Sequence, residues 1–102
     1  MIHVVAILTA KPGQREAILT HFAANRPNVL AEAGCIEYGA AIDSEGVGPV
    51  QTQFGADTFV VVEKWESVDH LKAHGAAPHM KEFSAKVKDL LAGRVIHVLS
   101  PV

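Results

Sequence analysis

The sequence predicts an α+β domain in which one antiparallel sheet carries its helices on a single face. Three observations predict it. Two runs rich in β-branched residues, 2–10 and 58–65, are bounded by turn residues. Two stretches, 14–30 and 78–91, repeat their apolar residues at helical spacing. The elements follow one another as strand, helix, strand, strand, helix, strand.

Ile2 to Ala10 reads as the first strand and stops at Pro12-Gly13. From Gln14 the pattern changes to helical spacing, with Ile18, Phe22 and Val29 on one stripe and Leu19, Ala23, Arg26 and Leu30 on an adjoining one. Pro27 lies inside this pattern and is expected to kink the helix, and Gly34 is expected to end it. Cys35 to Asp43 reads as a second strand. Ser44 to Asp57 holds Gly46, Gly48, Pro49 and Gly55, which suits a long loop or irregular hairpin with a little strand at Val50 to Phe54. Thr58 to Trp65 is the clearest strand. Ser67 can cap a short helix ending near Gly75, and Pro78 suits the first position of another whose core stripe is Met80, Phe83, Val87, Leu90 and Leu91. Gly93 is expected to close it, with Arg94 to Leu99 as the last strand.

This order, β-α-β-β-α-β with the second helix broken at Gly75 to Pro78, is the ferredoxin-like arrangement. The sheet face without helices would be apolar and uncovered, and a second copy of the chain is the simplest cover. A chain of 102 residues suits one domain, 1–102, with no linker-joined module.

Composition excludes several classes of function. The net charge of −2 suggests neither a nucleic-acid partner nor an acidic membrane surface. The apolar start, Met1 to Leu8, has no basic segment and runs into Lys11-Pro12-Gly13, so it reads as a strand and not as a signal peptide or membrane span. Cys35 is the only cysteine, which fits a reducing compartment and a cytoplasmic location.

Strand alternation places Phe59, Val61, Glu63 and Trp65 on one face. A carboxylate among such neighbours must be paired, hydrogen-bonded or raised in pKa; Glu63 is either a site residue or half of an ion pair with a lysine or histidine. Trp65 is either a core tryptophan or the wall of a site. Tyr38 shares a strand face with Ile36, Ala40 and Ile42, and its hydroxyl either binds a substrate oxygen or satisfies a backbone carbonyl. His70 and His74 share a helix face, but Leu71 stands where the glutamate of an HExxH zinc motif belongs, and His70 reads as solvated. His74 precedes the helix break, where a gap beside the sheet would make it a natural general base. His79 opens the next helix, whose positive end favours a neutral imidazole. Cys35 follows a helix C-terminus and reads as a small apolar residue. No phosphate loop, dinucleotide fingerprint or GxSxG elbow occurs.

Glu32-Ala33-Gly34-Cys35 with Tyr38, Glu63-Lys64-Trp65-Glu66-Ser67, Leu71, His74, Pro78-His79 and Phe83 together resemble the antibiotic biosynthesis monooxygenase family. Pro12-Gly13-Gln14 and Pro78-His79-Met80-Lys81 are similar to its quinol monooxygenase branch, and the resemblance covers residues 2–98. It implies a homodimer, a dimeric α+β barrel, with a pocket between sheet and helices in each subunit. It implies oxidation of a polyphenolic small molecule by molecular oxygen without flavin, haem or metal. On that reading His74 is the base, Glu63 orients a histidine or holds a substrate hydroxyl, and His79 is a second acid/base group. Trp65, Tyr38, Met80 and Phe83 would line the pocket. A haem-degrading branch has an asparagine on the first strand where this chain has Val5, Ala6 and Ile7, which disfavours that activity. A proton-transfer isomerase acting on a small carbonyl compound, and a non-catalytic dimeric binding protein, stand as alternatives.

Overall fold

In the computed structural model, which describes residues 1–102, strand β1 spans Ile2–Ala10 and alternates strictly. Ile2, Val4, Ala6, Leu8 and Ala10 are buried, while His3, Val5 and Ile7 face the other way and are half-covered. Strand β3, Thr58–Trp65, pairs antiparallel with β1 from Ile2–Trp65 to Thr9–Thr58. Strand β2, Cys35–Ala41, lies on the far side of β3, and β4, Leu91–Leu99, on the far side of β1. The four-stranded order is β2-β3-β1-β4, every pair antiparallel, as the ferredoxin-like arrangement requires.

Three helices cover one face: α1 (Arg15–Leu30), α2 (Val68–Ala76) and α3 (Pro78–Val87). The core is the inner sheet face together with Ile18, Phe22 and Val29 of α1 and Val87 of α3; Trp65, Phe59, Ile18, Val4, Val29 and Val87 are its largest fully enclosed side chains. Burying each large apolar side chain contributes roughly 1.5–3 kcal/mol, so this layer accounts for most of the drive to fold. The opposite face has no helix over it: Val62, Val95 and Leu99 remain 37%, 53% and 49% exposed.

Several boundaries differ from the sequence reading. Helix α1 ends at Leu30, four residues before Gly34, with the Ala31 N–H donating to the Pro27 carbonyl and the Glu32 N–H to that of Val29. Gly34 does not close the helix; it sits in the following turn at φ +81°. Residues 50–54 form no strand, because the Asp43 carboxylate accepts the Phe54 and Gly55 N–H groups and satisfies that backbone as a loop. Nor does Gly93 end α3. A 3-10 turn at Lys88–Leu90 leads directly into β4, where Leu91 pairs with Ala10 and Gly93 with Thr9 across a bulge. Tyr38 does not share its face with Ile36. A register shift between Cys35 and Glu37 pairs Cys35 with Trp65 and Tyr38 with Glu63, which leaves Ile36 as the extra, 51% exposed residue.

Candidate active site

Three local features converge at the β2–β3 end of the covered face. Strand β3 projects Glu63 and Trp65 inward two residues apart, and the bulge in β2 sets Tyr38 opposite Glu63. Ser67 caps α2, its hydroxyl accepting the His70 N–H at 3.3 Å, so that the last turn of α2 carries His74 down onto the sheet. The break follows from Pro78: it pushes Ala77 into extended conformation (φ −63°, ψ 137°) and then serves as the first residue of α3. His79 therefore lands one residue inside α3, next to His74.

The sequence reading gave no role to the residue that joins these groups. Glu32, in the turn between α1 and β2, places Oε2 2.7 Å from His74 Nδ1 and Oε1 3.5 Å from His79 Nε2. The first distance is a short charge-assisted hydrogen bond; the second is within ion-pair reach but too long for a well-formed hydrogen bond. Both ring nitrogens of His79 are enclosed and lack a hydrogen-bond partner. No periodic pattern marks Glu32, since it belongs to a turn, and its partners lie more than forty positions away.

Glu63 is buried with its Oε1 accepting the Trp65 indole N–H at 2.9 Å, not paired with a lysine. Burial raises its pKa, with the Glu32 carboxylate adding to the rise; the Trp65 hydrogen bond and the nearby His74 oppose it. Burial also drives the Tyr38 phenol well above its ordinary value, reinforced by Glu63 and Glu32, so the hydroxyl stays protonated. The Cys35 thiol is likewise held up by burial and by the same two carboxylates, which keeps it from acting as a thiolate.

The His74 ring lies 4.8 Å from the Trp65 ring and 5.5 Å, edge-on, from that of Tyr38, and Phe22 stacks on Tyr38 at 5.2 Å. His74 Nε2, the Tyr38 hydroxyl and Glu63 Oε2 make no hydrogen bond within the protein, yet only the His79 nitrogens are both unpartnered and sealed off. Tyr38 does not spend its hydroxyl on a backbone carbonyl.

Trp65 is fully enclosed, so it shapes the site from behind and through Glu63. Met80 packs against the core and its Sδ accepts from Asn25 Nδ2 at 3.4 Å; Phe83 meets Phe22 edge-on. His70 is not loosely solvated: its Nδ1 lies 2.7 Å from the Ser67 hydroxyl, and its ring packs on Gly34. Two cavities lie away from the helix break. One, about 100 Å³, runs between α1 and α3 past Asn25, His79 and Phe83; another, about 290 Å³, lies beneath the 42–54 loop near Val60.

The sequence profile of the family described as antibiotic biosynthesis monooxygenase matches residues 1–86. The chain belongs to that family. It is 39% identical to the Escherichia coli protein named probable quinol monooxygenase YgiN, over 99% of this chain and 98% of that one. Among solved structures it superposes on PA3566 of Pseudomonas aeruginosa with a TM-score of 0.82 at 27% identity, covering 99% of this chain and 93% of that one. Rv0793 of Mycobacterium tuberculosis gives a TM-score of 0.80 at 25% identity, with 99% and 94% covered. Family membership makes monooxygenase chemistry the coarse statement of function. As for the surroundings of this monooxygenase, no helix is long and apolar enough to cross a membrane.

Proposed function

We propose that this monooxygenase oxidises a quinol or related polyphenol with molecular oxygen, and that it needs no bound cofactor to do so. The observation that carries the reading is the environment of His74: Nδ1 is engaged by Glu32 at 2.7 Å, Nε2 makes no hydrogen bond within the protein, and the ring packs edge-on against Tyr38 at 5.5 Å with the Glu63 carboxyl nearby. A neutral imidazole held this way takes a phenolic proton at Nε2. The resulting phenolate is electron-rich enough to reduce oxygen itself. One oxygen atom enters the ring and the other leaves as water, so a quinol and dioxygen give a hydroxyquinone and water. Tyr38 and the raised Glu63 carboxyl supply hydrogen bonds that orient the substrate oxygens, and the apolar walls exclude bulk water. The name of the Escherichia coli relative supports the choice of substrate class.

The protein works as a homodimer on this reading. Val5, Ile7, Val60, Val62, Val95 and Leu99 make one face of the sheet apolar without a covering layer, and a second copy would bury it.

The test is oxygen uptake over a panel of hydroquinones in metal-free buffer with chelator. Uptake above the spontaneous rate, lost in His74→Ala, supports the proposal. No uptake, with deuterium instead entering a carbonyl substrate from solvent, would replace it with a proton-transfer isomerase. Ligand-induced stabilisation that survives loss of both His74 and His79 would point to a binding protein.

A further inference from the structure

We propose that Glu32 is the positioning residue of the site: its carboxylate fixes His74 as the Nδ1–H tautomer and so leaves Nε2 with the lone pair that removes the substrate proton. The inference rests on the reading of His74 as a base. A carboxylate oxygen 2.7 Å from Nδ1 accepts a proton there, and in a neutral ring the other nitrogen must then be bare. Trp65 and Tyr38 flank the ring at 4.8 and 5.5 Å, which limits its rotation about χ2. The tautomer is thus set by one bond and the ring orientation by its neighbours.

The turn that carries Glu32 is built to hold it there. The Cys35 N–H donates to the Glu32 carbonyl at 3.2 Å, and the Glu66 N–H to the Gly34 carbonyl at 2.9 Å. Gly34 adopts φ +81°, and a Cβ at that position would overlap the His70 imidazole. His70 and His74 are one helical turn apart on the same face of α2. Gly34 meets the first and Glu32 the second, so the turn lies along that face and its register on α2 determines where the carboxylate sits. Glu32 has only the two histidines within ion-pair reach, with no lysine or arginine to give it a purely structural partner.

The experiment is nitrogen-15 NMR of the histidine side chains together with oxygen-uptake kinetics for the wild type, Glu32→Gln and Glu32→Ala. In the wild type His74 is expected to show a protonated Nδ1 and a bare Nε2. Glu32→Ala should let the ring revert to the Nε2–H form that free histidine favours, while Glu32→Gln, which can still accept from Nδ1, should retain part of the native signal. Expected with it is a fall in kcat of about 100-fold or more in the alanine variant, a smaller fall in the glutamine variant, and a KM that changes by no more than about threefold. A wild-type tautomer that persists in Glu32→Ala overturns the inference, as does unchanged kcat. If the wild type oxidises no quinol but the tautomer shifts on removing Glu32, the positioning role stands and the proposed reaction fails.

Discussion

Trp65→Phe isolates the hydrogen bond on which the buried Glu63 carboxyl depends. The indole N–H is the only donor to Glu63 within the protein, at 2.9 Å, and both residues are almost wholly enclosed. Removing a hydrogen bond to a charged group costs about 1.5–3 kcal/mol. The smaller ring also leaves a void of about 40 Å³, which at about 24 cal/mol per Å³ adds about 1 kcal/mol. The total expected where Glu63 is ionised is therefore about 2.5–4 kcal/mol. Its pH dependence identifies the cause. Burial raises Glu63 above its ordinary 4.5, so the wild type is favoured below that value and loses this stability as pH rises through the folded pKa. Without the indole donor the folded pKa rises further, and the loss on going to high pH becomes larger. The penalty of the substitution should thus be smallest at pH 4, where the carboxyl is protonated in both proteins, and about 1–2 kcal/mol greater above the folded pKa, where it is ionised. Urea unfolding across that range measures it. In a Trp65→Phe, Glu63→Leu double-mutant cycle, in which leucine removes the acceptor, the coupling should come out near the hydrogen-bond cost. A penalty equal at both pH values would refute the argument and leave only the cavity.

Gly34→Ala should destabilise the protein by about 1–2 kcal/mol from the left-handed backbone alone, with a further loss from displacing His70; thermal unfolding should shift down by about 4–8 °C per kcal/mol. An unchanged Tm would show that the turn adapts freely. Val62→Lys, on the uncovered sheet face, should leave the circular dichroism spectrum intact but convert a dimer into a monomer by light scattering. A wild type that is itself monomeric at micromolar concentration would contradict the proposed assembly.

The strands of this protein were legible because their signal is local. In β1 and β3 the two-residue alternation of Ile2–Ala10 and Thr58–Trp65 gives both boundaries and the inward set, including Glu63 and Trp65. Ser67, Pro78 and the apolar stripe of α1 mark their helices for the same reason: capping, ring geometry and helical period act within a few residues. The elements at the edges were less legible. Leu91 joins β4 because Ala10 is there to pair with it, and Tyr38 faces Glu63 because a bulge shifts β2 by a residue; neither cause is present in the local sequence.

The same division holds for the site. By itself the sequence determined that a carboxylate, a tryptophan and a histidine would meet on the covered face, since each follows from strand alternation or from the place of a helix end. Only the tertiary structure decided how they are connected. It gave Glu63 to the Trp65 indole rather than to a lysine or histidine, and it brought Glu32 from a distant turn onto His74 and beside His79. Charge and hydrogen bonding act through space over a few ångströms, so a partner forty-two residues away carries no mark in the pattern around either residue.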